Sequence, residues 1–307
     1  MKISITTSNF ILKNSKIINQ ILLNRDISIS YNPYGRKLTE NEILSFCADS
    51  EIIIAGTEIY NKKVLSKLNK LKIISRVGIG TDSIDLNFAN SLGIKILNTT
   101  KSHVNSVSEY MLSTILAISK NLLNYNNEVK SGIWQKKITF ELSGTKIGFI
   151  GYGNVTKRFI ELYKKTFNLE IRYFDPYCKE SNNVMKMDNI TDLIEWSKIL
   201  IPIVPLNEST NNLLNSKNLK HLANGSIIIH ASRGGVINEN DLYDYLINSN
   251  ESVAYIDVFE NEPYNGKLLS LDNTFCSPHI AGYSKESRLS MENLALINSI
   301  EFLKNEK

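Results

Sequence analysis

A strand-length apolar run that ends in two closely spaced glycines constrains this chain more than any other stretch. In segment 146–156, Gly151 and Gly153 follow the apolar residues, and a helical apolar period begins at Val155. A strand that turns on glycine into a helix presents backbone N–H groups and the positive end of the helix dipole. The stretch therefore predicts an anion site, although taken alone it is equally consistent with an ordinary βα turn.

A second short strand after the glycines ends in an acidic residue, Asp175. It lies about 20 residues beyond the glycine motif, where a dinucleotide-binding fold has the acid that binds the adenosine ribose. A carboxylate there favours NAD over NADP, because it repels a 2′-phosphate. The third glycine of the usual motif is Thr156 in this chain. We therefore expect a slightly wider gap between helix and strand.

The rest of the pattern indicates two α/β domains. The chain has 307 residues, which is long for one core, and short β-branched strands alternate with helical patterns from the start. A net charge of +4 is too small and too dispersed to favour nucleic acid or an anionic membrane. No apolar stretch reaches membrane-spanning length, and the three cysteines lie far apart in the sequence. We therefore expect reduced thiols, no metal site and a cytoplasmic location.

Two helix starts are predicted from capping motifs. Thr39 and Glu42 have the spacing of a capping box. Ser106 and Glu109 have the same spacing and precede a long apolar pattern that runs to about Asn126. Because the apolar positions of this pattern cover more than one face, we expect that helix to be buried between domains or subunits.

Polar residues with catalytic potential follow three strands in the second half of the chain. Arg233 follows the strand that ends at His230. Asp257 and Glu262 follow the next strand, and His279 follows the last one. Ligands of open parallel sheets bind at the carboxyl ends of the strands. An arginine grips a carboxylate through paired hydrogen bonds, and a histidine beside a carboxylate transfers protons near neutral pH. Each residue alone is more often structural, but together they predict a catalytic site.

Three ordered motifs resemble the D-isomer-specific 2-hydroxyacid dehydrogenase family. They are segments 228–237, 256–263 and 277–282, and the similarity extends over nearly the whole chain. The resemblance implies an enzyme that uses NAD to transfer a hydride between nicotinamide and a D-2-hydroxy acid or its 2-oxo acid.

The same resemblance implies the architecture of the chain. We expect an α/β fold with two doubly wound parallel-sheet domains, Rossmann-like or flavodoxin-like, and a cleft between them. Residues 1–99 plus 284–307 would form the substrate-binding domain, and residues 100–283 would form the NAD-binding domain. A homodimer through the helix after Ser106 is also implied.

A role for each candidate residue follows from the resemblance. Arg233 would bind the substrate carboxylate and carbonyl, and His279 would exchange a proton with the substrate oxygen. Glu262 would orient the His279 ring and stabilise its charged form. Substrate contacts would come from Arg76, Val77, Gly78, Ile79 and Gly80. Cofactor contacts would come from Gly151, Gly153, Asn154, Val155, Asp175, Pro205, Ser232 and Asp257, the last of which would meet the nicotinamide carboxamide.

Two residues besides Thr156 depart from the family pattern. Ile203 replaces the usual histidine before Val-Pro, and His230 replaces the usual asparagine before the arginine motif. Ile203 removes a polar group near the cofactor, so we expect an altered cofactor affinity. Neither change touches the three catalytic positions.

The substrate is less constrained than the reaction. The chain looks most like D-3-phosphoglycerate dehydrogenases without a regulatory domain, for example in segment 56–58. No arginine lies at 54–55, where some relatives could meet phosphate, so Arg76 or Lys101 would have to bind it. Hydroxypyruvate, glyoxylate or another 2-oxo acid remains an alternative, and segment 279–283 has some likeness to erythronate-4-phosphate dehydrogenases. An NAD-sensing, corepressor-like binding protein is the alternative from a different class.

Overall fold

Two parallel β-sheets organise the chain. The structure, a computed structural model, describes residues 1–23, 26–178, 181 and 183–305. It divides into two units, of which the first comprises Met1–His103 and Tyr283–Lys307 and the second comprises Val104–Gly282. The prediction of two parallel-sheet α/β domains is confirmed. The assignment of substrate binding to one domain stays a prediction. The cleft between the domains stays a prediction as well.

The sheet of the first unit is built from short isoleucine-rich strands, and its three central strands are largely buried, as in other parallel sheets. Its strands are β1 (Lys2–Ile5), β2 (Ser28–Tyr31), β3 (Ile52–Ala55), β4 (Ile73–Arg76) and β5 (Lys95–Asn98). They pair in parallel in the order β2-β1-β3-β4-β5. The register places Ala55 opposite Arg76, so the loops after β3 and β4 begin side by side.

Short helices connect these strands, namely α1 (Lys16–Leu22), α2 (Glu40–Phe46), α3 (Lys62–Leu65) and α4 (Leu86–Ser91). The capping box predicted before α2 is confirmed. The Thr39 hydroxyl accepts from the Glu42 N–H, and the Glu42 carboxylate accepts from the Thr39 N–H at 2.8 Å.

The second unit begins with two helices, α5 (Val104–Ser119) and α6 (Leu122–Lys130). The prediction of one helix capped by Ser106 was wrong on both counts. Ser106 lies inside α5, and its hydroxyl donates to the Ala281 carbonyl at 2.8 Å. The helix breaks at Asn121, whose φ of +53° is left-handed, a conformation that asparagine tolerates better than most residues.

The sheet of the second unit has seven parallel strands among the described residues. They are β6 (Lys146–Ile150), β7 (Glu170–Phe174), β8 (Met185–Lys186), β9 (Ile199–Pro202), β10 (Ile227–His230), β11 (Val253–Ile256) and β12 (Thr274–Cys276). Their order is β12-β11-β10-β9-β6-β7-β8. The sequence did not indicate β8, because two residues are too short to show a pattern. The order makes β9 the neighbour of β6 and makes β10, β11 and β12 consecutive.

Helices α7 (Asn154–Tyr163), α8 (Ile190–Trp196), α9 (Ser216–Leu219) and α10 (Glu239–Asn248) cover this sheet together with α5, and a 3₁₀ turn spans Lys267–Ser270. The apolar face of α5, with Val107, Met111 and Ile115, packs into the core of the second unit beside Phe149 and Phe159. This packing presents the polar edge of α5 to the loop after β12.

The last helix, α11 (Lys285–Asn305), belongs to the first unit. Met291, Ala295 and Leu296 pack in the same apolar cluster as β1, and the Ser75 hydroxyl donates to the Ala295 carbonyl at 3.0 Å. None of the helices in the described part of the chain is both long and apolar enough to cross a membrane. The cysteines at 47, 178 and 276 are free thiols. A cytoplasmic location stays a prediction.

Candidate active site

The glycine loop joins β6 to α7 and keeps an open helix N-terminus. Gly151 has a φ of +102°, and a Cβ there would lie 2.3 Å from the Ile203 carbonyl oxygen, so only glycine fits. A Cβ at Gly153 would meet no atom within 4 Å. Gly153 is also the N-cap of α7 and has no side chain that could bond the first N–H groups of the helix. This geometry fits a bound pyrophosphate.

Asp175 ties the loop down while keeping capacity for a ligand. One carboxylate oxygen accepts from the Tyr152 N–H at 2.8 Å, and the other accepts from the Tyr177 N–H at 2.9 Å. A carboxylate oxygen has two acceptor positions, so each oxygen retains one for a ribose hydroxyl. The half-buried Asp175 therefore fits the adenosine side of a dinucleotide.

Thr156 is accommodated inside the loop. Its side chain is buried, and its hydroxyl donates to the Gly151 carbonyl at 2.9 Å. Next to it, Val155 is buried and its carbonyl accepts from the Ser108 hydroxyl of α5 at 3.3 Å. Asn154 is exposed at the first turn of α7. The hydroxyl of Thr156 is therefore hydrogen-bonded within the glycine loop itself.

The segment after β9 runs beside the glycine loop. The Ile203 N–H donates to the Ile150 carbonyl at 2.8 Å, and the half-buried Ile203 side chain packs on the core of the second unit. Pro205 is exposed, and its carbonyl accepts from the Thr210 hydroxyl at 2.6 Å. Five of the predicted cofactor residues therefore follow the adjacent strands β6 and β9, namely Gly151, Gly153, Asn154, Val155 and Pro205.

His279 and Glu262 form a hydrogen-bonded pair. The His279 Nδ1 atom lies 2.9 and 3.0 Å from the two carboxylate oxygens of Glu262. A carboxylate only accepts, so Nδ1 carries the proton of this bond and Nε2 is the nitrogen left for a ligand. Glu262 is itself held by the Phe259 N–H at 3.1 Å. This is the arrangement of a histidine that transfers protons through Nε2.

Arg233 lies at the same edge of the sheet as that pair. Strands β10, β11 and β12 are consecutive neighbours, so the three residues follow the carboxyl ends of adjacent strands. A Cβ at Gly234 would lie 2.0 Å from the Phe259 carbonyl oxygen, so the arginine loop and the Glu262 loop are in direct backbone contact. One guanidinium N–H of Arg233 donates to the Ser232 carbonyl at 2.7 Å. The structure thus brings the three candidate residues to one edge.

Asp257 is bonded to the segment that carries His279. Its side chain is 0% exposed. The carboxylate accepts from the Ser277 hydroxyl at 2.6 Å, from the Ile280 N–H at 2.8 Å and from the Ala281 N–H at 2.9 Å. Its contact with a nicotinamide carboxamide stays a prediction. Sequence reasoning missed the contacts of Ser277, for which the only signal was a hydroxyl two residues before the histidine.

His230 is a buried histidine at the end of β10. It is 3% exposed, its Nδ1 lies 3.5 Å from the buried Ser232 hydroxyl, and its Nε2 has no hydrogen-bond partner among the described residues. Burial lowers the pKa of His230 to about 4, and the charge of His279 acts in the same direction. His230 is therefore neutral at physiological pH.

We expect His230 to make the folded protein sensitive to acid. Its pKa is 6.5 when exposed and about 4 in the folded protein, so only the unfolded chain gains a proton between these values. The free energy of unfolding therefore keeps its full value above pH 6.5, as far as His230 determines it. It falls by about 3 kcal/mol as the pH drops toward 4, at 1.36 kcal/mol per pKa unit. His230→Asn should lose less stability than the wild type over this range in urea unfolding. Parallel pH profiles for the two proteins would contradict this prediction.

The predicted substrate residues lie in the first unit, in the loop after β4. The Val77 N–H donates to the Ala55 carbonyl at 2.9 Å, and the Gly78 N–H donates to the Thr99 hydroxyl at 2.8 Å. The Arg76 guanidinium lies over this loop and donates to the Val77 carbonyl. Ile79 is 41% exposed, and Gly80 is half-buried. The loop therefore presents a guanidinium beside glycine backbone.

Comparisons with known proteins agree with this geometry. The family model described as "D-isomer specific 2-hydroxyacid dehydrogenase, NAD binding domain" matches residues 112–281. Hydroxypyruvate reductase of Thermotoga maritima is 31% identical over 283 residues, which covers 89% of this chain and 90% of the relative. D-3-phosphoglycerate dehydrogenase of Methanocaldococcus jannaschii is 31% identical over 260 residues, which covers 82% of this chain. The chain spans about half the length of that relative, 49%.

A solved structure supports the fold. NAD-bound 3-phosphoglycerate dehydrogenase of Entamoeba histolytica superposes with a TM-score of 0.83 at 22% identity, covering 100% of this chain and 96% of that chain. The predicted cofactor, NAD, is confirmed by the matched NAD-binding domain, and the glycine loop and Asp175 fit it. The chain belongs to the D-isomer-specific 2-hydroxyacid dehydrogenase family and is an NAD-dependent oxidoreductase.

Proposed function

We propose that the protein interconverts D-3-phosphoglycerate and 3-phosphohydroxypyruvate, with Arg233, Glu262 and His279 as its catalytic residues. The observation that carries the chemistry is the His279–Glu262 pair, which lies at the same sheet edge as Arg233. When bound, NADH supplies the hydride that the carbonyl carbon of a 2-oxo acid accepts.

The side chains supply orientation and a proton. The Arg233 guanidinium binds the substrate carboxylate and polarises the carbonyl. His279, protonated on both nitrogens, gives the Nε2 proton to the carbonyl oxygen during reduction and takes it back during oxidation. Glu262 holds Nδ1–H throughout, which keeps the ring oriented and stabilises its charge.

The choice of a phosphorylated acid is supported by the loop after β4. The Val77 and Gly78 N–H groups are already bonded, so we assign the N–H groups of Ile79 and Gly80 to the substrate. The Arg76 guanidinium, which lies next to Gly78 in the same loop, suits an anionic phosphate. Phosphoglycerate dehydrogenases are also among the relatives of this chain.

The rival substrate is hydroxypyruvate or glyoxylate. The hydroxypyruvate reductase relative supports it, because the match covers 90% of that protein. Steady-state NADH oxidation decides between the two. We expect kcat/KM to be about 10–100-fold higher for 3-phosphohydroxypyruvate than for hydroxypyruvate, the effect of one hydrogen bond between charged groups. Arg76→Gln should shrink this ratio, whereas Arg36→Gln, which removes an exposed arginine elsewhere in the first unit, should not. Equal kcat/KM values for the two acids in the wild type would favour hydroxypyruvate.

Asp175 should control the choice between NAD and NADP. Its carboxylate lies at the glycine loop, where a 2′-phosphate would meet its negative charge. We expect Asp175→Ala to lower the ratio of kcat/KM for NADH over NADPH by about tenfold or more, because it removes a repulsion of about 1–2 kcal/mol. Asp192→Ala on the exposed side of α8 is the matched control. An unchanged ratio in Asp175→Ala would remove Asp175 from the cofactor site.

We also propose that the protein is a homodimer that associates through α5 and the segment after α6. That segment exposes Trp134 at 84% and Ile138 fully, and Leu122 at the start of α6 is 55% exposed. Large exposed apolar groups such as these are typical of association surfaces. Light scattering after size exclusion should give twice the 34.8 kDa chain mass, and Trp134→Ser with Ile138→Ser should shift it toward the monomer. A monomeric wild type would contradict the proposal.

A further inference from the structure

The loop that carries His279 holds an unfavourable backbone conformation. His279 has a φ of +56°, the left-handed region that residues other than glycine rarely enter. Such a conformation persists only where surrounding contacts over-determine it. We therefore expect contacts from other parts of the second unit to hold the loop in this conformation.

Two elements of the second unit hold this loop. Asp257 bonds the Ile280 and Ala281 N–H groups on the C-terminal side of His279, and its own carbonyl accepts from the His279 N–H at 2.9 Å. Helix α5 reaches the loop at both ends, because the Ser106 hydroxyl donates to the Ala281 carbonyl and Tyr110 bonds Ser277. Residues four apart on a helix lie on one face, so one turn of α5 spans the loop.

The direction of the hydrogen bonds can be read from the chemistry of the groups. An Asp257 carboxylate only accepts, so the Ser277 hydroxyl donates to it at 2.6 Å. The single proton of Ser277 is then used, and the Tyr110 hydroxyl must donate to the Ser277 oxygen. Burial and the charge of Asp257 raise the pKa of Tyr110 well above its usual range, so the phenol keeps this proton. Tyr110, Ser277 and Asp257 therefore form a chain whose bonds reinforce one another.

We propose that Tyr110 and Ser277 are positioning residues for catalysis, which hold His279 in its left-handed conformation through Asp257. In this role they act on His279 through the loop. This inference rests on the proposed role of His279. It gives α5, which lies outside the three catalytic motifs, a role in positioning the proton-transferring histidine.

The test is a double-mutant cycle between Ser277→Ala and His279→Gln. The kcat of each protein is measured by NADH oxidation with 3-phosphohydroxypyruvate and with hydroxypyruvate. We expect Ser277→Ala to lower kcat by about 10–100-fold, the usual cost of a displaced catalytic group, with the NADH Kd from fluorescence unchanged. Ser277→Thr keeps a hydroxyl and should restore most of kcat. Tyr110→Phe removes only the far end of the chain and should lower kcat by several-fold.

In the His279→Gln background, Ser277→Ala should lower the residual kcat by less than about twofold, because the group that it positions is gone. Two matched controls should leave kcat unchanged. Ser119→Ala removes another buried hydroxyl of α5, which donates to the Leu116 carbonyl. Tyr245→Phe removes a phenol hydroxyl of α10 that is bonded to the Ser252 hydroxyl. Thermal melting establishes that each variant is folded at the assay temperature.

Wild-type kcat in both Ser277→Ala and Tyr110→Phe, with His279→Gln impaired, would overturn this inference alone. The same fold loss of kcat from Ser277→Ala in both backgrounds would also overturn it, because the serine would then act apart from His279. Should Ser277→Ala not fold, Tyr110→Phe is carried through the same cycle. Wild-type kcat in His279→Gln would overturn the proposed function itself and this inference with it.

Discussion

Replacing His279 with alanine is expected to lower kcat by about 10²–10⁴-fold, the usual contribution of general acid–base catalysis. The ring is held through Nδ1 by both oxygens of Glu262, so Nε2 is the only ring position from which a proton can reach a substrate. Because the change removes an interaction made in the transition state, kcat should fall while the NADH Kd stays near the wild-type value. Steady-state kinetics and fluorescence titration measure the two quantities.

The chain offers a matched control for that variant. His221 pairs through Nδ1 with Glu195 at 2.8 Å, and this pair lies outside the three strand-end loops. His221→Ala therefore removes an equivalent histidine–glutamate pair and should leave kcat within a few-fold of the wild type. Similar kinetics of His279→Ala and His221→Ala would exclude His279 as the proton carrier.

Replacing Arg233 with alanine is expected to lower kcat/KM by about 10²–10⁴-fold. A bidentate grip on a carboxylate makes two hydrogen bonds between charged groups, each contributing about 1.5–3 kcal/mol. Arg233→Lys keeps the charge but loses the planar fork, so it should recover only part of this loss. The ratio of kcat/KM between wild type and variant, with one 2-oxo acid, gives the free energy directly.

Arg36→Ala is the control for the arginine variants. Arg36 donates two hydrogen bonds to the Glu42 carboxylate, at 2.9 and 2.7 Å. It lies in the first unit, far from Arg233 in the sequence. It should leave kcat/KM unchanged. If Arg233→Lys were as active as the wild type, the paired geometry proposed for the substrate carboxylate would be wrong.

Much of the fold could be predicted because the local patterns are strong and agree with one another. Short β-branched runs indicated the strands of the first unit, and the capping box at Thr39 marked the start of α2 correctly. The strand ends also indicated one site, since parallel strands that are neighbours in the sheet place their following loops together. That argument held for β10, β11 and β12, which the structure places side by side.

Other features depend on contacts that no local pattern records. Ser106 has the spacing of a helix cap, but its hydroxyl donates to a carbonyl of the His279 loop instead. Helix α5 begins two residues before Ser106. Asp257 lies where a ligand contact is expected, yet the same loop surrounds its carboxylate with donors. The sequence places Tyr110 and Ser277 far apart, so only the packing of α5 on the sheet brings the two hydroxyls together.

The most direct test of the account is whether the purified protein oxidises NADH when it is given a panel of 2-oxo acids. The panel contains 3-phosphohydroxypyruvate, hydroxypyruvate, glyoxylate and pyruvate, and NADH binding is measured on the same preparation. We expect turnover with at least one acid, fastest with 3-phosphohydroxypyruvate, and its loss in His279→Ala. Tight NADH binding without turnover of any of these acids would contradict the proposed activity and would favour an NAD-sensing binding protein.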